Sequence, residues 1–152
     1  MLLVELLSAD RIRVPLSART KDDVLQELVD LAARDHDAKV RSAILAAVRE
    51  REGVLSTGIG SGVAIPHGKT PVIDQLIVTA GIAGTPIEFD ALDGKPVELF
   101  FLLIGPESAS GAHVKTLSRI SRLLRRESLR TALRGAKSAE EFLGIVKSSE
   151  VV

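Results

Sequence analysis

The 152-residue chain has no cysteine, no tryptophan and no tyrosine, and phenylalanine occurs four times. Without cysteine there is no disulfide, no thiol chemistry and no thiolate-held metal. That suits a reducing compartment, and the expected location is the cytoplasm. So few aromatic rings offer no stacking platform for single-stranded nucleic acid. Neither sign of charge is in excess, because twenty basic and twenty acidic residues cancel. Net charge therefore gives no argument for nucleic acid or a membrane surface as a bulk partner. The longest strongly apolar run, Leu99 to Ile104, is far too short to span a bilayer. The N-terminal stretch MLLVELLSADRIR carries Glu5 within its apolar part and no basic leader or small-residue cleavage site, so no secretory signal is expected.

What is present reads as one α/β domain covering 1–152, with enough chain for a real core. RIRVPL (11–16) predicts a short strand. Thr20 opens a helix with Asp22 and Asp23 in its first turn, where negative charge meets the positive end of the helix dipole. Val24, Leu28, Leu31 and Ala32 give that helix its apolar stripe. After a break at His36–Asp37, a second helix runs to about Arg51 on Val40, Ile44, Ala47 and Val48, and Gly53 should end it. GVAI (62–65) and LIVTAGI (76–82) predict strands. The stretch TPIEFDALDGKPV reads as a loop with a DG turn. VELFFLLI (97–104) is apolar throughout from Leu99, as a central strand covered on both faces should be. A long helix is expected from about Gly111 to Arg125, then two shorter ones, the last opened by a capping box at Ser138-Ala-Glu-Glu141. Together these elements predict a three-layer sandwich, a small mixed β-sheet flanked by helices on both faces.

One stretch, LSTGIGSGVAIPHGK (55–69), carries chemistry. Pro66 fixes its own backbone and biases Ile65 to be extended, so His67 should project from a constrained turn, with Gly68 adding little bulk beside the ring. An unperturbed imidazole titrates near pKa ~6.5 and is mostly a neutral nucleophile at neutral pH, the form that accepts a phosphoryl group. Gly58, Gly60 and Gly62 permit backbone that points N–H groups at an anion. Ser56 and Thr57 add hydroxyls, and Arg51 a positive charge. Phosphoryl transfer rests on positioning and charge stabilisation, which these groups supply. A plain glycine-rich hairpin beside an idle surface histidine is the competing reading. G-I-G-S-G is only a weak match to a dinucleotide loop, since a helix precedes it and a strand and proline follow. His113 falls in the first turn of the long helix, on the same side as Val114, Leu117, Ile120 and Leu124. It is read either as a structural histidine or as a neighbour of His67. His36 reads as incidental. Three dispersed histidines give no metal-ligand spacing, and no cofactor is called for. Residues 111–137 carry eight Lys or Arg against Glu127, which reads as a solvated helix face or as a dock for an acidic partner.

The segments REGVLSTGIGSGVAIPHGK (51–69), TPIEFDALDGKPVELFFLLIGP (85–106) and AHVKTLSRISRLLR (112–125) resemble the enzyme IIA domain of the fructose–mannitol type (type 2) of the bacterial phosphoenolpyruvate-dependent phosphotransferase system. Within it the nearest resemblance is to the free-standing nitrogen-regulatory branch. The resemblance spans nearly the whole chain in order and spacing. It implies that His67 accepts a phosphoryl group from the carrier protein HPr, that His113 lies beside it and helps hold that group, and that Arg51 assists. The phosphoryl oxygens would be held by Ser56, Thr57, Gly58, Gly60 and Gly68. It also implies one of three roles: a regulatory phosphocarrier acting on target proteins, a sugar-specific IIA component passing phosphate to a IIB protein, or a non-phosphorylated interaction module of the same fold. Oligomeric state is left open.

Overall fold

A computed structural model describes residues 2–150; the two ends of the expected 1–152 domain lie outside the described residues. After 3-10 turns at Leu3–Glu5 and Ala9–Arg11 come strand β1 (Ile12–Leu16) and helices α1 (Lys21–Ala32) and α2 (Ala38–Val54). Three short strands follow, β2 (Gly58–Gly60), β3 (Val63–Ala64) and β4 (His67–Lys69), then the long strands β5 (Ile77–Ile87) and β6 (Val97–Gly105). The chain closes with helices α3 (Ser110–Leu123), α4 (Glu127–Arg134) and α5 (Ala139–Glu150).

The sheet is mixed and six-stranded. β5 lies antiparallel along one edge of β6, and β1 runs parallel to β5 beyond it. The other edge of β6 takes two short parallel strands in succession. β3 pairs at Leu99 and Phe100, and β4 pairs at Leu103 to Gly105. β2 closes that side as an antiparallel partner of β3.

Burial on both faces follows from the alternation of side chains along a strand. On β6, Phe100, Leu102 and Ile104 join one core with Leu28, Ile44 and Val48 of α1 and α2. Leu99, Phe101 and Leu103 join a second core with Ile120, Leu129, Leu133 and Phe142 of α3, α4 and α5. Two cores on opposite faces of one sheet make the α/β sandwich that the doubly apolar strand predicts.

Local signals set the helix starts. Thr20 Oγ1 accepts the Asp23 amide at 3.2 Å, and Asp37 Oδ1 accepts the Val40 amide at 2.9 Å. Ser138 Oγ accepts from the Glu141 amide at 3.1 Å. The boundaries differ from expectation in three places. α2 runs through Gly53 to Val54, since nothing lies within 4 Å of that glycine's Cβ direction and the turn continues in solvent. β5 extends past Ile82 to Ile87, so Thr85 and Pro86 belong to a strand rather than a loop. HGK forms the separate strand β4, because Pro66, which has no N–H, interrupts the run while its carbonyl still accepts from the Leu103 amide at 3.0 Å.

No helix among the described residues is long and apolar enough to cross a membrane.

Candidate functional site

His67 opens β4 and pairs in register with Leu103. Its ring is half-buried, and Nδ1 lies 2.8 Å from the Ile65 carbonyl oxygen. A carbonyl only accepts, so Nδ1 carries the proton and the neutral ring leaves Nε2 bare, with its lone pair available. Burial pushes the His67 pKa below its ordinary 6.5, and the Arg51 and Lys69 charges push the same way; the Ile65 carbonyl and the Glu52 carboxylate pull it back up. The net direction is downward, which favours the neutral ring at physiological pH.

His113 faces it. The two ring centroids are 5.9 Å apart and the planes are inclined by 59°. His113 is only 2% exposed, and neither of its ring nitrogens has a hydrogen-bond partner within the protein. A buried imidazole with both nitrogens unpaired is costly. Burial first, then the nearby His67 and Lys69, drop its pKa to about 4. The ring fits where it does because of Gly105. A Cβ there would lie 2.9 Å from His113 Nδ1 and 2.7 Å from Leu76 Cδ2. From sequence Gly105 reads only as a strand terminator, so its second task was not legible.

Lys69 also belongs to the site. It stands two residues after His67 on the same strand, hence on the same face, and its Nζ donates to Ser110 Oγ at 3.3 Å. The i, i+2 spacing in the H-G-K run is the signal that could have found it.

α2 delivers the next residues. Arg51 Nη1 donates to the Leu55 carbonyl at 2.8 Å, which folds the guanidinium back over the helix end. Glu52, beside it, is 7% exposed and accepts from both the Thr57 amide and the Thr57 hydroxyl. The Thr57 hydroxyl is therefore already committed, and its side chain differs in this respect from the free donor the sequence suggests. Ser56 Oγ donates to the Phe89 carbonyl at 3.0 Å and accepts from the Gly58 amide at 3.1 Å. Gly68 has its own reason to be glycine. A Cβ there would lie 3.1 Å from Val48 N and 3.2 Å from Ala47 C, so its smallness lets β4 lie directly on the α2 backbone rather than sparing room beside the imidazole.

The glycine run divides. Gly58 pairs with Ala64, close to Thr57, whose carbonyl accepts from the Ile65 amide at 3.0 Å. Gly60, Ser61 and Gly62 form a hairpin turn with positive φ of 100°, 58° and 77°. That tip lies at the Glu98 end of β6, where Gly62 O accepts from the Glu98 amide and Arg134 reaches Ser61 O. His67 pairs five positions on, at Leu103. The structure thus brings His67, His113 and Arg51 together, with Gly68 next in the strand and Thr57 linked to His67 through Ile65; Ser56 and Gly58 bond each other, Phe89 and Ala64, and Gly60 lies at the far end of the hairpin. His36 is exposed, between α1 and α2.

On α3, the buried line runs His113, Thr116 and Ile120, while Val114 is 60% exposed. Val114 was expected on the sheet side; one residue on from His113 is a rotation of ~100°, which carries it to the flank. The basic run is partly used inside the molecule: Arg119 pairs with Glu150, Arg134 with Glu98, and Arg130 caps the Leu124 and Arg125 carbonyls.

Fold and site together place the chain among α/β proteins built around a histidine pair at the edge of a mixed sheet. The comparisons with known proteins are more specific. Residues 5–149 match the family model "Phosphoenolpyruvate-dependent sugar phosphotransferase system, EIIA 2", and the chain belongs to that family. It is thus a phosphotransfer component of that type. The nitrogen regulatory protein of Bradyrhizobium diazoefficiens is 36% identical over 146 residues, covering 96% of this chain and 95% of its own. The fructose-specific EIIABC component of Bacillus subtilis is 33% identical over 150 residues, 99% of this chain but 24% of that longer protein. The crystal structure of the nitrogen regulatory protein IIA-Ntr from Neisseria meningitidis superposes with a TM-score of 0.87 at 33% identity, covering 95% of this chain and 98% of that one.

Proposed function

We propose that His67 is the phosphoryl acceptor of a histidine phosphocarrier, and that phospho-HPr is its donor. The observation that carries this reading is the Nδ1 bond to the Ile65 carbonyl, which leaves Nε2 as the nucleophile while the ring of His113 stands opposite. Nε2 attacks the phosphorus of the donor phosphohistidine in line. A P–N bond forms to His67 as the P–N bond to the donor breaks, and the donor imidazole leaves with the electron pair. His67 keeps its Nδ1 proton, so positive charge grows on its ring, where the Ile65 carbonyl stabilises it. The phosphoryl oxygens fall to an N–H of His113, to Lys69 and to the remaining N–H groups of Arg51, all in a half-buried setting where such donors act strongly. No cofactor or metal enters these steps.

Exposed apolar side chains adjoin the site in sequence, Val54 and Leu55 after Arg51, Val72 after β4 and Val114 after His113. They suit docking of a protein donor. For biology we favour a regulatory carrier in the cytoplasm, as one domain, on the likeness along almost the full length to nitrogen regulatory proteins. Delivery of the phosphate to a sugar-specific IIB protein is the second reading, supported by the likeness to part of the fructose-specific EIIABC component.

The test is incubation with phosphoenolpyruvate, enzyme I and HPr. An acid-labile, base-stable phosphate should form on the wild type and not on His67→Ala. Equal labelling of the variant removes the assignment. Transfer onward to a purified IIB protein distinguishes the sugar branch.

A further inference from the structure

Glu52 is a buried acid that the transfer chemistry above does not use. It sits in the last turn of α2, one residue after Arg51, and is 7% exposed. A carboxylate is rarely buried unless its oxygens are fully engaged. Here Oε2 accepts the Thr57 amide at 2.7 Å and Oε1 the Thr57 hydroxyl at 2.5 Å. Lys21 Nζ supplies a counter-charge 3.5 Å from Oε2, and the same ammonium lies 4.7 Å above the centre of the Phe89 ring.

The bonds continue towards His67. The Thr57 carbonyl accepts from the Ile65 amide at 3.0 Å, and the Ile65 carbonyl accepts from His67 Nδ1 at 2.8 Å. Three successive links therefore join the carboxylate to the imidazole through Thr57 and Ile65, each of which bonds through its N–H on one side and its C=O, in the next peptide unit, on the other. Among the described residues the His67 ring makes no other hydrogen bond. The Thr57–Ile65 link lies just beyond the β2–β3 pairing, next to Gly58 and Ala64, so the strand edge and the ring orientation share one anchor.

We propose that Glu52 is a positioning residue for His67: acting through Thr57 and Ile65, its carboxylate holds the imidazole with Nδ1–H turned inward and Nε2 presented to the incoming phosphorus. Its negative charge, with Arg51 on the same helix, Lys69 on β4, His113 on α3 and Lys21 on α1 as the other charged or titratable groups around it, also favours the positive ring that forms during transfer. The comparable arrangement in other sites is a carboxylate that fixes the tautomer of a working histidine; here it acts at two removes. This inference rests on His67 being the acceptor, but its central claim concerns the ring before any phosphate arrives.

The experiment compares wild type, Glu52→Gln, Thr57→Val and the double variant, all unphosphorylated, by 15N spectroscopy of the imidazole nitrogens, with His67→Ala to assign the signal. The same samples are then phosphorylated by phosphoenolpyruvate, enzyme I and HPr, and the rate is read. Wild type should show His67 protonated at Nδ1. Glu52→Gln keeps the size and loses the charge and one strong acceptor; it should shift population to the Nε2–H tautomer and slow acceptance about tenfold, the scale seen when the outer partner of a working histidine is removed. Thr57→Val should move both readouts the same way by less, and the double variant should be no worse than Glu52→Gln. If Glu52→Gln does not fold, Thr57→Val, which keeps every backbone bond, decides. Unchanged tautomer and rate in the folded variants overturn the proposal, as do strictly additive effects. If wild type shows the Nδ1–H tautomer that Glu52→Gln loses, yet neither protein accepts phosphate, the positioning role stands and the phosphocarrier reading fails.

Discussion

At the scale of single residues, the proposed phosphoryl transfer depends on a ring that stays neutral. Burial, Arg51 and Lys69 outweigh the Ile65 carbonyl and Glu52, so protonation of His67 begins below the ordinary 6.5. The rate of phosphoryl acceptance should accordingly hold constant from pH 8 down past neutrality and fall with a midpoint below 6.5; a midpoint above that value would reverse the sign of the burial argument. Gly105→Ala should act on the second histidine. The new methyl would overlap His113 Nδ1 and Leu76, displace the ring and slow phosphate acceptance, and 15N signals of the His113 ring should shift in the same variant. The histidines themselves were legible because each interrupts a recognisable pattern, one after a proline and one opening an apolar helix stripe. Lys69, Glu52 and Gly105 were not singled out: Lys69 stands two residues from His67 and Glu52 five from Thr57, but only the folded chain shows what each faces, and Gly105 meets Leu76 and His113 only once β6 and α3 pack. Thr57 shows the limit from the other side: a hydroxyl is visible in the sequence, but its prior commitment to Glu52 is not.

At the scale of elements, β4 is three residues long and packs on α2 through Gly68, which meets the Ala47–Val48 backbone and the Ala47 methyl. Gly68→Ala would put a carbon 3.1 Å from Val48 N and 3.2 Å from Ala47 C, backbone that cannot rotate away. Such crowding costs about 1–3 kcal/mol, so thermal unfolding followed by circular dichroism should show a clear fall in midpoint, and His67, one residue earlier, should lose phosphate acceptance with it. A variant with wild-type stability would show that the strand and helix can separate freely. The long elements were readable from periodicity, β6 above all, because its apolar run reports burial on both faces. Of the short ones, β3 lies within the predicted GVAI strand, while β2 and β4 were not read: β2 pairs with β3 and β4 with the edge of β6, and hydrogen bonds to another strand leave no local periodic signal. Nor does the glycine run show in the sequence how it divides: Gly60 lies in a hairpin turn held at Arg134 and Asp93, at the other end of β6 from the imidazole.

At the scale of the whole molecule, His113 and Glu150 are the most deeply buried of the groups, His67 among them, whose lowered pKa values shape the response to acid. His113 titrates near 4 when folded against 6.5 when exposed. Its contribution is fully present above pH 6.5 and is lost as pH falls towards 4, because the unfolded chain binds the proton first, for up to about 3 kcal/mol. Glu150 follows at lower pH. Burial pushes its pKa up, but Arg119 and the Leu3 and Val4 amides outweigh that and hold it below 4.5, so its share is lost only below that value. Urea denaturation should show stability falling from pH 6.5 to 4, and His113→Asn should flatten that slope; an unchanged slope would place the titrating group elsewhere. The layered α/β arrangement was legible from the alternation of strand and helix patterns, while the Glu150 contact, spanning 147 positions, could not be. That contact has a use in protein engineering. With Glu150 gripping the first turn at 2.8 and 3.0 Å, head and tail are neighbours, so a circular permutant joining them by a short glycine–serine bridge and opened between Asp35 and His36, in the exposed bend after α1, should refold and keep its histidine pair intact.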